Sequence, residues 1–224
     1  MGYITEERGL IQKTAREFAM KEVLPVANEL DKIKGDIPMS LRDQMGELGY
    51  FGMRIPEQYG GLELGVFEYI LVTEELARAW MSVASIIARG NGLGGGFSDE
   101  QKQKYLPRMA KGEFLGAVAL SEPDAGSDLA NVQCRARRDG DEWVINGNKM
   151  WCTFADGADY ITVLARTEEM DPAKRHKGTA MFFFEKERGT FPAGLHATNI
   201  NKIGYHAVSY THLRAHETKA NLVC

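Results

Sequence analysis

The sequence predicts an α+β protein: an all-α N-terminal domain over residues 1–112, then a β domain, a barrel or sandwich, over residues 113–207. Two observations carry this expectation. Up to Gly112 the apolar residues recur at the three-and-four spacing of amphipathic helices, and beyond it they alternate at period two between turn-forming residues. A third observation makes it feasible: 224 residues with 44% hydrophobic content can bury a sizeable core, as one large domain or two small ones.

In the first domain Thr5 is suited to cap a helix whose first turn holds Glu6 and Glu7, with Leu10, Ile11, Thr14, Ala15, Phe18 and Ala19 on one face and Pro25 at its end. A second helix is expected from about Ser40, with Leu41, Met45 and Leu48 inward and Gly49 as a left-handed cap. Residues 55–61 read as a turn. A third helix, Val66 to Ala79, is expected to bury Phe67, Ile70, Leu71 and Leu76, and Val83 to Ala88 begins another. The glycines between Asn91 and Gly96 interrupt it, each costing about 1 kcal/mol relative to alanine. Ser98 and Gln101 form a capping box for a helix ending about Pro107-Arg108-Met109.

In the second domain Phe114 to Leu120 reads as a strand. Val132, Cys134 and Ala136 alternate with polar residues, and Asp139-Gly140-Asp141 turns the chain. Trp143-Val144-Ile145 then runs into Asn146-Gly147, a hairpin signal, with Asn148 to Thr153 as the returning strand. Tyr160 to Ala165 and Gly178 to Glu185 are further strands around a polar segment, 168–177. Short strands joined by hairpin turns favour a barrel or sandwich.

Composition narrows the partners. A net charge of −4 without a basic stripe argues against nucleic acid and for a small molecule. Cys134, Cys152 and Cys224 are odd in number and form no Cys-x-x-Cys pair, so a disulfide framework and a zinc ribbon are disfavoured and a reducing compartment is expected. The N-terminus reads as neither signal nor transit peptide, and no apolar run approaches the ~20 residues of a membrane span. The expectation is a cytoplasmic protein without membrane contact.

Two stretches concentrate chemistry-bearing residues. Leu120 to Asp128 ends an apolar run in small, acidic and turn-forming residues, which let backbone N–H groups approach an acceptor. Trp151-Cys152-Thr153 puts Trp and Thr two apart on a strand, hence on one face, and is expected to fold back beside the first stretch. A flat apolar surface beside a hydroxyl suits a flat cofactor with polar edges. Residue types alone leave open an ordinary turn with Trp151 in the core.

The order of motifs goes further. Thr-Ala-Arg-Glu-Phe (14–18), Ile-Pro-Glu-Gln-Tyr-Gly-Gly (55–61) and Glu-Gln-Lys-Gln-Lys-Tyr-Leu-Pro (100–107) precede Ser-Glu-Pro-Asp-Ala-Gly-Ser-Asp (121–128) and Ile-Asn-Gly-Asn-Lys-Met-Trp-Cys-Thr (145–153). Over about residues 4–207 the chain closely resembles the acyl-CoA dehydrogenase family of flavoenzymes. That resemblance implies FAD, a helical N-terminal domain, a β-barrel middle domain and a C-terminal four-helix domain, usually as a homodimer or homotetramer. It implies α,β-dehydrogenation of an acyl-CoA thioester to the trans-2-enoyl-CoA, with electron-transferring flavoprotein as the electron acceptor.

Carried over by position, the cofactor-binding residues implied are Val118, Leu120, Ser121, Gly126, Ser127, Trp151, Cys152 and Thr153. Ser121 would meet the pyrimidine side of the isoalloxazine, Trp151 would pack on the ring system and Thr153 would donate toward N5. Ser127 would lie near the pyrophosphate or the substrate's pantetheine, and is also the substrate-binding residue implied. Val118 departs from the aromatic residue of many relatives. Glu122, Asp124 and Asp128 look like an acid–base cluster, but this loop supplies no base in the family and they are expected to fix the turn. The family base is a Glu of the C-terminal domain, so no residue here is assigned as catalytic. His212 and His216 have the i, i+4 spacing of a helical metal pair without a third ligand, and no metal is assigned.

Past Lys202-Ile203-Gly204-Tyr205 the family pattern is not continued. Residues 208–224 are expected to lack the next strand, and Ser209 to Thr218 resembles translated sequencing-adapter DNA. The expectation is a native sequence ending near Ala207, an incomplete barrel, a non-native tail and an inactive fragment without the four-helix domain. Two other readings stay open: an acyl-CoA oxidase or nitroalkane-type flavin oxidase of the same fold, and a non-catalytic scaffold. Glu74-Glu75-Leu76-Ala77-Arg78 with Gly178 to Glu185 looks most like members acting on short, branched or dicarboxylic acyl-CoAs, methylsuccinyl-CoA dehydrogenases among them.

Overall fold

The computed structural model describes residues 3–91, 96–205 and 210–222. The chain divides into two compact units, Met1–Phe114 with Lys202–Val208 and Leu115–Asn201 with Ser209–Cys224. The expectation for the glycines of residues 91–96 falls mostly on 92–95, outside the described residues.

The first unit is helical. Helix α1 (Glu6–Phe18) starts where Thr5 Oγ1 accepts from the Arg8 amide at 3.2 Å. The helix does not stop near Pro25 as expected. It passes through a π turn, Ala19–Val23, into α2 (Leu24–Leu30), and the π turn lies directly before Pro25, which lacks the N–H a regular α-helical ladder would use there. Helix α3 (Met39–Glu47) ends at Gly49, whose φ of 73° is left-handed. Helices α4 (Val66–Ala79) and α5 (Met81–Ile87) follow. Helix α6 (Asp99–Ala110) opens on the Ser98–Gln101 capping box and runs on through Pro107. Ala15, Met45, Leu76, Ile86, Ile87 and Met109 are fully buried. Ile70 is not: it is half exposed, as the apolar face of α4 narrows to Leu71, Val72 and Leu76. Leu10 and Leu48 also stay out of the core and line an apolar groove of about 230 Å³.

The second unit is a curled sheet of seven strands: β1 (Gly116–Ala119), β2 (Arg135–Asp139), β3 (Glu142–Thr153), β4 (Tyr160–Arg166), β5 (Thr179–Glu185), β6 (Leu195–Asn199) and β7 (Tyr210–Leu222). Their order is β1-β4-β2-β3-β7-β5, and β5 also pairs with β4, so the sheet closes on itself. Trp143 packs on Phe182 at 5.4 Å between ring centres, and Tyr160 on Phe183 at 5.0 Å, the two pairs lying on opposite faces of β5.

Three expectations are corrected. Asn146-Gly147 is no hairpin turn: β3 runs unbroken through it, the register shifts between Ile145 and Gly147, and Gly147 has a φ of 154°. The turn is Gly140-Asp141, closed by the Asp139–Glu142 pair. Residues 210–222 do form a strand, which pairs with β3, β5 and β6. As that backbone is extended, His212 and His216 do not have the helical geometry of a metal pair. Among the described residues no helix is long and apolar enough to cross a membrane, and no three metal-ligating side chains converge.

Candidate functional site

Strand β1 ends at Ala119 because the next residues bend into a tight turn, in which the Glu122 amide donates to Ala125 O at 2.7 Å and the Ala125 amide donates back at 3.3 Å. The Glu122 carboxylate is buried beneath it. Oε2 accepts from the Gln133 amide at 2.7 Å, and Oε1 accepts from the Cys134 amide at 2.9 Å and Lys149 Nζ at 2.7 Å. Lys149 Nζ also donates to Leu120 O at 3.0 Å, and the Met150 amide donates to Ser121 O at 2.8 Å. The two motif stretches therefore lie side by side.

Past the turn, Asp128 pairs with Arg175 at 2.9 Å. Buried Arg166 donates to the carbonyls of Ala130, Val132, Arg175 and Lys177 at 2.9 to 3.1 Å. The loop is thus held along its length while Gly126 and Ser127 stay exposed. A Cβ placed on Gly126 would meet nothing of the chain within 4 Å, so packing does not demand glycine there.

On the facing strand, Lys149 pairs with Leu213 but Cys152 with Thr211, so β3 carries one extra residue, a β-bulge. Trp151 takes up the bulge with a φ of 60°, an outlier for a bulky residue, and is 51% exposed. Cys152 is fully buried, and Thr153 is half-buried with its hydroxyl 3.4 Å from Trp151 O. Trp151 and Thr153 thus stay accessible while Cys152 turns inward. Val118, Leu120 and Ser121 are each partly exposed on the neighbouring stretch.

The surroundings are polar but satisfied. Lys186 Nζ donates to Asp156 O, Ala158 O and Glu187 O at 2.8 to 2.9 Å and holds the turn after Thr153; burial lowers its pKa. Asp159 accepts from the Leu115 amide at 2.8 Å and twice from Arg188, at 2.7 and 2.8 Å. Burial pushes the Cys134 thiol up to about 11, so it is no nucleophile at neutral pH. Glu122 and Asp128 fix the turn, as expected of them, while Asp124 is exposed. Sequence reasoning missed Lys149 and Arg166. Arg166 closes the apolar run of Tyr160 to Ala165, a signal that could have marked it, whereas Lys149 follows Asn146-Gly147-Asn148 and nothing in the sequence sets it apart from a surface lysine.

Models of the acyl-CoA dehydrogenase N-terminal domain and middle domain match residues 5–113 and 117–217. The chain is 38% identical over 212 residues to a (2S)-methylsuccinyl-CoA dehydrogenase of Cereibacter sphaeroides, covering 90% of this chain and 38% of that protein. It is 38% identical over 199 residues to a mitochondrial isovaleryl-CoA dehydrogenase of Pongo abelii, covering 82% of this chain and 44% of that protein. The solved structure of a glutaryl-CoA dehydrogenase from Mycobacterium smegmatis in complex with FADH2 superposes with a TM-score of 0.85 at 28% identity, over 98% of this chain and 56% of that one. The chain spans less than half the length of these two curated relatives.

Proposed function

The chain belongs to the acyl-CoA dehydrogenase family, and from that premise we propose that it carries the flavin-binding face of an FAD-dependent dehydrogenase acting on the α,β-bond of an acyl-CoA thioester. The observation that carries this reading is the bond from the Met150 amide to Ser121 O, which sets an accessible Trp151 and Thr153 beside the hydroxyl-bearing loop.

The residues present fit the cofactor. Trp151 offers a flat apolar surface, Thr153 and Ser121 offer hydroxyls at its margins, and Val118 and Leu120 supply an apolar wall. Gly126 and Ser127 leave open backbone where a phosphate or a pantetheine amide has room to approach. Bound FAD supplies a hydride acceptor for the β-hydrogen. The chain's own part would be to orient the ring, Trp151 holding its face and Thr153 and Ser121 its polar margins, while buried Cys152 anchors the strand between Trp151 and Thr153. None of its residues is assigned as the base that takes the α-proton. The Glu122 carboxylate is committed to three structural hydrogen bonds, from Lys149 and the amides of Gln133 and Cys134, and is unavailable for that task.

The substrate class we infer is short, branched or dicarboxylic acyl-CoA, supported by relatives whose names specify methylsuccinyl-, isovaleryl- and glutaryl-CoA. Electron-transferring flavoprotein is the acceptor proposed, in the cytoplasm, with a homodimer or homotetramer as the working assembly. The test is an FAD titration of the 224-residue chain followed by flavin absorbance, then a panel of acyl-CoAs with an artificial electron acceptor. Flavin binding without turnover is expected of these residues alone. Steady acceptor reduction would overturn the assignment of the base elsewhere, and absence of flavin binding would overturn the cofactor reading.

A further inference from the structure

Lys149 and Glu122 form a buried ion pair, their side chains 3% and 7% exposed. Such a pair adds little net stability, since desolvation offsets the attraction and an apolar pair of the same shape does as well or better. Stability alone therefore does not account for it. Its hydrogen bonds do. Glu122 satisfies the amides of Gln133 and Cys134, Lys149 satisfies the carbonyl of Leu120, and an apolar replacement would leave all three of these backbone groups without these partners.

The bonds share a second feature. All of them end on the segment that begins at Leu120 and returns at Cys134, and one member is rooted on β3 two residues before Trp151. The Lys149–Leu213 pair is also the last regular step of the β3–β7 ladder before the bulge that turns Trp151 outward. One residue thus bonds the Ser121 loop through its side chain and stands, through its own backbone, at the step before the irregular backbone of Trp151.

We infer that Lys149 is a positioning residue of this site: with Glu122 it locks the Ser121–Asp128 loop to the strand that carries Trp151 and Thr153, so that the two edges of the site keep one separation. The locking stands on geometry alone. Its consequence for cofactor affinity rests on the flavin reading above.

The test compares the 224-residue chain with Lys149→Met, Lys149→Arg and the double variant Lys149→Met/Glu122→Gln. The double variant removes both charges and guards against a fold lost to one unpaired carboxylate. Two readouts are needed, amide hydrogen exchange and FAD affinity by flavin fluorescence. Lys149→Met and the double variant are expected to lose protection at Met150, Gln133 and Cys134 while helices α1 and α4 keep theirs. FAD binding weakens by about tenfold or more, the effect of withdrawing one charge-assisted hydrogen bond, and Lys149→Arg, which keeps the donors, recovers most of both. Unchanged exchange at the three amides would overturn the positioning role whether or not FAD binds. Lost protection with unchanged FAD affinity would overturn its link to the cofactor. A wild-type chain that fails to bind FAD would overturn the flavin reading, and the exchange data would still decide what Lys149 holds.

Discussion

The Met150 amide lies 2.8 Å from Ser121 O, and this bond joins the loop after β1 to the strand whose next residue, Trp151, has a left-handed backbone. A left-handed conformation costs a non-glycine residue about 1–2 kcal/mol, and such strain persists where the surroundings impose it. Trp151→Gly should therefore leave the unfolding midpoint no lower than that of the parent chain, relief of strain offsetting the lost packing of a half-exposed ring. It should weaken FAD binding roughly fivefold, the equivalent of about 1 kcal/mol of ring contact. Differential scanning fluorimetry beside a flavin titration checks both. A lower midpoint with unchanged affinity would make Trp151 a packing residue.

In the helical unit, Glu75 is buried and accepts from Arg16 Nε at 2.9 Å, Arg16 Nη2 at 2.7 Å and Gln12 Nε2 at 2.9 Å, tying α1 to α4. The Arg16 hydrogen bonds hold its carboxyl below the usual carboxylate range. With a folded pKa below the unfolded value of about 4.3, the stabilisation is fully present above that pH and is lost as pH falls through the folded pKa. Glu75→Gln should cost about 2 kcal/mol at pH 7, and the gap between variant and parent should narrow on acidification below about pH 4. Urea melts at several pH values measure it. A gap independent of pH would show that the carboxylate's charge is irrelevant.

The element types were legible because each rests on local chemistry. Thr5 and Ser98 mark their helix starts to the residue, and the change of period at Gly112 separates the helices from the strands. Where tertiary pairing overrides local preference, the sequence misleads. Asn146-Gly147 carries a turn signal, yet pairing of β3 with β7 absorbs it as a bulge. Strand β6, Leu195–Asn199, has a single buried residue and no alternation to betray it. The adjacency of the two motif stretches was legible in outline. Lys149 and the bulge at Trp151 were not, since a buried lysine and a surface one look alike in sequence and no residue pattern announces a left-handed tryptophan.

Gly116 faces the fully buried Tyr160, and a methyl group added there would overlap the phenol ring. The β1–β4 pairing of Gly116 with Tyr160 leaves neither strand room to shift. Gly116→Ala should destabilise the β unit by about 1–3 kcal/mol through overpacking. Gly126→Ala, with open space around it, should leave stability within about 0.5 kcal/mol of the parent. Chemical denaturation of the two variants side by side checks the contrast, and equal stabilities would refute it.

Arg166 is a buried guanidinium that donates to four carbonyl oxygens, those of Ala130, Val132, Arg175 and Lys177. Its planar fork reaches acceptors from two separate segments, the return of the Ser121 loop and the polar segment between β4 and β5. An ammonium has neither the span nor the number of fixed donors for that task. Arg166→Met should therefore cost at least about 3 kcal/mol, because several buried carbonyls lose their donor together, and Arg166→Lys should recover little of it. The loss should also be local at first: limited trypsin digestion should cut at Lys174, Arg175 or Lys177 well before the helical unit is attacked. Full rescue by lysine would mean that the site needs only a positive charge, and cleavage starting in the helices would mean that Arg166 does not hold these two segments together.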